Sequence, residues 1–279
     1  MSVGTFIPSY NRPMQLLVLL ESIFEFDDGM LLQNVHVRYQ GSTELHQKAY
    51  QRLIEHPVCE FIDIQPKKGL SEDMLEVMTN ENFKYFNIIT DDSIFYKSFN
   101  ITCDDLDDFL TEEVNHFGFR LGNNTTQIDY CNPNLHDVLD AKQAGPFLKF
   151  KWPQHGNHYG HAAALDGSLF NREWILQKTL ESCGLGFDYR AWECKVNDIM
   201  KIWPVRQYAL CSPISSLVNI PANQVTDGQQ VKNGVHHPYT IDELSQKFLD
   251  GYKIDLESLS KNKIVSVQQE IPFEFIKDE

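Results

Sequence analysis

A chain of 279 residues, 42% hydrophobic and 23% charged, has the composition of a folded protein with a sizeable core, which excludes disordered, fibrous and collagen-like classes. Its net charge of −15 opposes both a nucleic-acid footprint and docking on an anionic membrane surface, since each calls for a basic patch. Cys59, Cys103, Cys131, Cys183, Cys194 and Cys211 are scattered without a Cys-x-x-Cys pair, no signal peptide precedes them, and no apolar run is long enough to span a bilayer. The expectation is a cytoplasmic protein with reduced thiols, whose only membrane contact would be peripheral.

In chain order, residues 2–8 read as an apolar strand stopped by Pro8, and Ser9-Tyr10-Asn11-Arg12 as a loop. Pro13 then suits a first helical position, with Leu16, Leu17, Leu20, Ile23 and Phe24 at helical spacing. Residues 34–39 form a second strand, Gln40-Gly41-Ser42-Thr43-Glu44 a turn and cap, and a helix runs to about His56. A third strand is expected at Cys59–Ile64, leading through Pro66-Lys67-Lys68-Gly69-Leu70-Ser71 into a helix carrying Met74, Leu75 and Met78. Strands alternating with helices through short polar turns predict right-handed βαβ units and a parallel sheet.

The central strand is Tyr85-Phe86-Asn87-Ile88-Ile89-Thr90, apolar on both faces and ending in Asp91-Asp92. Ligands in such sheets bind at the carboxyl ends of the strands. Two adjacent carboxylates repel unless water or a cation compensates them, which makes a divalent metal the natural partner. The plain alternative is a solvated turn. Asp104-Asp105-Leu106-Asp107-Asp108 is a solvated helix start, and Gly122 to Gly145 a polar excursion of the kind that forms binding loops or lids.

Phe147–Trp152 reads as a strand. His155, His158 and His161 recur every third residue and invite a zinc site, but Gly156 and Gly160 oppose a regular helix and no fourth ligand is near. Ala162–Leu165 is expected as a small-residue strand, Asp166-Gly167-Ser168 as a turn and Asn171–Ile175 as a helix start. Gly184-Leu185-Gly186-Phe187-Asp188 leads into a helix over Tyr189–Asp198, and Pro204–Cys211 is a last strand before Pro213–Asn219 closes the core. Beyond Pro221 the chain is polar, with His236-His237 and one amphipathic helix near Ile241–Tyr252.

Taken together, Phe6–Pro13, Gln40–Glu44, Lys68–Ser71, Thr90-Asp91-Asp92, Gly160–Arg172, Trp192-Glu193 and Ser215–Asn219 resemble, in order and spacing, the GT-A nucleotide-sugar-dependent glycosyltransferases, family 2-like group, over roughly residues 3–220. The resemblance implies an α/β, Rossmann-like, mostly parallel sheet flanked by helices as a domain over 1–220, with residues 221–279 a helical extension packed on it. It implies sugar transfer with inversion from a nucleoside-diphosphate sugar to the hydroxyl of a glycan or other acceptor, with Mn²⁺ or Mg²⁺ on Asp92 and Asp91 neutralising the departing diphosphate. Pro8, Tyr10, Arg12, Glu44, Gly69 and Asp91 would hold the nucleotide, and Gly160, His161 and Asp166 the sugar. Glu193 is the first choice for the base that takes the acceptor proton and Asp188 the second. The chain departs from the family pattern at Glu44, where Asp is usual, and at Trp192, where a carboxylate is usual. The alternatives are a relative that binds nucleotide sugars without catalysis and a metal-dependent hydrolase using the acidic pair with His155, His158 and His161.

Overall fold

The computed structural model describes residues 2–127, 139–223 and 238–278. Three strand–helix units open the chain: β1 (Ser2–Tyr10) with α1 (Pro13–Phe26), β2 (Asn34–Gln40) with α2 (Glu44–Ile54), and β3 (Asp63–Pro66) with α3 (Leu70–Met78). Pro13 lies in the first turn of α1, where its missing N–H is no loss. Thr43 caps α2 by accepting from the His46 N–H. The third strand begins later than its apolar residues suggest. Pro57–Cys59 coil into a 3-10 turn capped by the His56 ring, so pairing starts only at Asp63 and Phe61 is left exposed.

The chain continues through β4 (Phe83–Ile88), β5 (Ser93–Phe95), α4 (Cys103–Phe109), β6 (Val114–Gly118), β7 (Ala141–Ala144) and β8 (Phe147–Lys151). The acidic cluster does start a helix, since Thr102 and Asp105 form a reciprocal capping box on α4. The polar excursion after Gly122 holds part of a hairpin, β7 with β8, and its residues 128–138 lie outside the described residues. Next come β9 (Ser168–Asn171), α5 (Arg172–Cys183), α6 (Tyr189–Ile202), β10 (Tyr208–Cys211) and β11 (Leu217–Asn219). The C-terminal stretch carries α7 (Ile241–Leu249), β12 (Tyr252–Ile254), α8 (Leu256–Ser260) and β13 (Phe275–Lys277). His236 and His237 lie outside the described residues.

Nine strands make one sheet in the order β3-β2-β1-β4-β9-β6-β10-β8-β7. β3, β2, β1, β4, β6, β10 and β7 run one way, while β9 and β8 run the other. This is a mostly parallel, Rossmann-like sheet with helices on its faces. The expected strand at Ala162–Leu165 is instead an irregular buried turn. Its backbone is held by side chains rather than by a neighbouring strand: Ala162 N–H donates to Asn197 Oδ1 at 2.8 Å and Ala162 C=O accepts from Asn115 Nδ2 at 3.1 Å. The strand forms six residues later, at Ser168–Asn171, because Gly167, at φ +76°, reverses the chain and seats β9 between β4 and β6. A Cβ at Gly167 would lie 2.2 Å from Leu217.

A hydrophobic core lies on each face of the sheet. One gathers α1, α2 and the C-terminal segment, where Leu244, Phe248, Ile254, Leu259, Ile264 and Ile271 pack with Leu16, Leu17, Leu20 and Ile23. Burial on all sides explains the unbroken apolar run Leu16–Leu20, which lacks the polar stripe of a surface helix. The other core sits under α3, α5 and α6 around Phe86, Phe150, Trp152, Phe170 and Trp192.

Candidate active site

The strand ends of one sheet edge bring together Tyr10–Arg12, Thr90–Asp92, Arg120 and Asp166. β1 leaves the sheet at Tyr10, and Asn11 then takes a left-handed conformation, φ 58°, which asparagine tolerates better than most residues. That turn is locked by Asn11 Nδ2 donating to Ser42 Oγ and Ser42 N–H donating to Asn11 Oδ1, both at 2.8 Å. Its effect is to swing Arg12 back under the acidic pair.

Arg12 Nη1 donates to Asp91 Oδ1 at 3.0 Å and to Asp92 Oδ2 at 2.8 Å, and its Nε and Nη2 donate to the side-chain and backbone oxygens of Asn223. Arg12 is 4% exposed, and all three nitrogens of its fork donate to protein groups. Arg12 was expected to contact nucleotide; the structure makes it the counter-charge of the two carboxylates. Asp91 Oδ2 accepts from Ser9 Oγ at 2.8 Å and from Tyr10 N–H at 3.1 Å. Ser9 in turn meets Tyr50 Oη at 2.6 Å. Burial pushes the Asp91 carboxyl up and Asp92 adds to the rise, against the pull of Arg12. Burial also works against the Arg12 charge, but Asp92 and Asp91 outweigh it and hold its pKa above the ordinary value.

Asp92 differs from Asp91 in access. Its side chain is 13% exposed against 7% for Asp91, and Asn219 Nδ2 donates to its Oδ1 at 2.6 Å. A carboxylate offers about four lone-pair positions, so Asp92 keeps acceptor capacity toward the cleft after serving Arg12 and Asn219. Asp166 is built alike: Thr90 Oγ1 donates to Oδ1 at 2.8 Å and Arg120 Nη1 to Oδ2 at 3.1 Å. Burial raises its pKa, Arg120 opposes, and the charges of Glu193 and Asp92 add to the rise, which marks the three carboxylates as neighbours in one electrostatic field.

A hard divalent cation fits this donor chemistry in one way. Magnesium and manganese take oxygen ligands, often one or two protein carboxylates completed by phosphate and water. Asp92 meets that requirement, whereas Asp91 is turned inward on Arg12, Ser9 and Tyr10. Among the described residues no group of three or more His, Cys, Asp or Glu is placed to hold a metal ion, so His155, His158 and His161 do not converge on the acidic pair. His155 packs against Phe150 and Tyr159 instead.

The remaining expected residues separate. His161 Nε2 lies 3.0 Å from Glu193 Oε1, which also accepts from Leu165 N–H at 3.4 Å. Asp188 caps α6 by accepting from Ala191 N–H at 2.8 Å and is exposed, so it is a helix terminus and not a second residue of the same helix face. Trp192 points into the core, its Nε1 donating to Thr179 Oγ1 at 2.8 Å, which leaves Glu193 as the acidic member at this turn. Glu44 is exposed and pairs with Lys48 at 2.7 Å. Pro8 is buried within β1, and Tyr10 is half-buried at its end. Gly69 is the N-cap of α3 in extended conformation. Gly160 is required by packing, since a Cβ there would lie 1.9 Å from the His155 carbonyl oxygen. Ser9, Asn11, Tyr50, Arg120, Asn219 and Asn223 complete the site and were not singled out for it from sequence. Tyr50, Arg120 and Asn223 belong to none of the motifs read from the sequence, whereas Ser9 and Asn11 lie in Phe6–Pro13 and Asn219 in Ser215–Asn219.

No protein-family model matches the sequence, and no curated protein matches it. Several solved structures align with the chain at low identity. A mannosyltransferase from Pyrobaculum calidifontis in complex with GDP-Man and Mn²⁺ aligns with TM-score 0.47 and 16% identity, over 80% of this chain and 58% of its own. S. aureus TarS 1–349 aligns with TM-score 0.47 and 9% identity, over 78% and 60%. A cytidylyltransferase from Leptospira borgpetersenii aligns with TM-score 0.43 and 14% identity, over 77% of each. The chain therefore spans 58% and 60% of the first two structures' lengths.

Proposed function

We propose that the protein is a glycosyltransferase that moves a sugar from a nucleoside-diphosphate sugar to an acceptor hydroxyl with inversion, assisted by Mn²⁺ or Mg²⁺. The observation that carries the reading is the graded pair at the carboxyl end of the central strand: Asp91 closed off by Arg12, Ser9 and Tyr10, and Asp92 partly open to the cleft. A bound cation would neutralise the charge that develops on the departing diphosphate. Asp92 would hold it. Tyr10 would stack on the base, the loops at Gln40–Glu44 and Lys67–Gly69 would border the nucleotide, and Asp166, fixed by Thr90 and Arg120, would hydrogen-bond the sugar. Arg12 bridges the two carboxylates without a ligand, so Asp92 is already aimed when one arrives. Residues 1–220 would form the catalytic unit and 221–279 its extension. Among the described residues no helix is long and apolar enough to cross a membrane, and a cytoplasmic setting with reduced thiols remains the proposed one.

Calorimetric titration with GDP and UDP, with and without Mn²⁺, tests the reading. The parent should bind one of them more tightly with Mn²⁺, and Asp92→Asn should forfeit about 1.5–3 kcal/mol of that binding, the worth of a charge-assisted contact. Affinities that ignore Mn²⁺ in both proteins would remove Asp92 from a metal role.

A further inference from the structure

The chain pairs each site carboxylate with a cation, and the pairs are not equivalent. Asp91 and Asp92 share Arg12, and Asp166 has Arg120, guanidinium groups that stay charged at every working pH. Glu193 has His161, the one partner in the set that can exchange a proton near neutrality. The side chains of His161 and Glu193 are 31% and 26% exposed, against 5% for that of Arg12 and 6% for that of Arg120.

We propose that His161, not Glu193, is the group that takes the acceptor proton, and that Glu193 is a positioning residue that orients and charges the imidazole. The inference rests on the glycosyltransferase reading above. Its geometric basis is the 3.0 Å contact from His161 Nε2 to Glu193 Oε1, with that oxygen tethered by the Leu165 N–H. A carboxylate can only accept, so the neutral imidazole carries its proton on Nε2 and leaves the Nδ1 lone pair as the basic site. The backbone on either side is fixed. His161 N–H closes a 3-10 turn onto the His158 carbonyl, and the next residue is pinned by Asn197 and Asn115. Nucleophile, base and orienting carboxylate in series is the arrangement by which a base is held in one tautomer. The hydrogen bonds from His161 and Leu165 both end on Glu193 Oε1 and fix the carboxylate against the ring.

In the transfer step the acceptor hydroxyl gives its proton to His161 Nδ1. Its oxygen pair forms the new bond to the anomeric carbon, and the bond from that carbon to the diphosphate oxygen breaks, with the electron pair leaving on the diphosphate. Glu193 touches His161 directly and His116 shares its field, while Arg120 bears on His116 and Glu193 on Asp166. Glu193 favours the imidazolium that forms.

The test uses release of nucleoside diphosphate from GDP-mannose and from UDP-glucose, with water as acceptor, across about pH 5.5 to about 9. Parent, His161→Asn and Glu193→Gln are compared, with Mn²⁺-dependent binding of the same nucleotides measured alongside. Expected are a parent rate that rises through the imidazole range and a loss of about 10²–10⁴-fold in His161→Asn with that rise abolished. Glu193→Gln, whose amide oxygen still accepts from Nε2, should lose less, and its rise should move to lower pH because the imidazolium has lost a negative neighbour. Nucleotide affinity should be equal in all three. The proposal is overturned if His161→Asn keeps the parental pH profile while Glu193→Gln collapses, which returns the base to Glu193. Absence of nucleotide binding and turnover in the parent would instead count against the glycosyltransferase reading. In that event ¹⁵N imidazole NMR still decides the pair: an Nε2-protonated ring whose pKa falls in Glu193→Gln upholds it, and an unchanged ring rejects it.

Discussion

Two ionic contacts, Arg12 with Asp91 and Asp92 and His161 with Glu193, are built for opposite ends. Around Arg12 all three guanidinium nitrogens donate to Asp91, Asp92 or Asn223, and the residue is nearly sealed from water. Around Glu193 the partner is a titratable ring with roughly a third of its side chain exposed. A buried ion pair costs its members their hydration and holds only while both are present. The His161–Glu193 pair keeps part of its contact with water. The difference teaches that an acidic motif and its basic neighbours do not share one role: the buried pair organises the site, and the accessible one can react.

The largest expected effect tests the buried side. Arg12→Ala leaves two carboxylates facing each other without a counter-charge and should lower the unfolding free energy by about 3–5 kcal/mol, read by urea denaturation. Adding Asp91→Asn should recover part of that loss, because the orphaned charge disappears with it. Equal stability of parent and Arg12→Ala would show that Arg12 is not the counter-charge described above.

The next effect sharpens the contrast with a histidine that is not accessible. His116 is 1% exposed, and burial, with Arg120 and His161 adding, lowers its pKa from 6.5 to about 3. The unfolded ring takes a proton as pH falls through about 6.5 while the folded ring resists until about 3, so the stability this ring contributes is present above the first value and lost progressively between the two. His116→Phe should flatten that part of the stability profile by an amount on the order of a few kcal/mol. Thermal melts of both proteins at matched pH check it, and parallel profiles would mean that the ring is not buried neutral.

The smallest effect concerns Asp188, whose carboxylate serves the helix and not the cleft. Asp188→Ala should cost about 1 kcal/mol, the worth of an N-cap, and leave the pH profile of nucleotide release at its parental shape. A changed profile would bring Asp188 back as a participant and blur the separation between cap and site.

The order of strands and helices in the first ninety residues was legible because hydrophobic alternation, Pro13, Thr43 and short polar turns are local signals that tertiary packing did not override. Where packing did override them, the expectation slipped: Ala162–Leu165 looks like a strand by composition but is fastened by Asn115 and Asn197 as a turn, and Gly167 moves the strand to Ser168–Asn171. The acidic pair was visible for the same local reason, since Asp91 and Asp92 end a buried apolar run. Their difference was not. Which carboxylate faces Arg12, Ser9 and Tyr10 and which keeps lone pairs for the cleft depends on Asn11, Asn219 and Asn223 arriving from other elements. Likewise Glu193 and His161 were each named in the chain, but their contact joins residues 32 apart. Local periodicity and turn chemistry thus determined which elements form and in what order, whereas charge partners, burial and proton-accepting roles were decided by the tertiary structure, because they depend on which groups lie within a few ångströms once the sheet has closed.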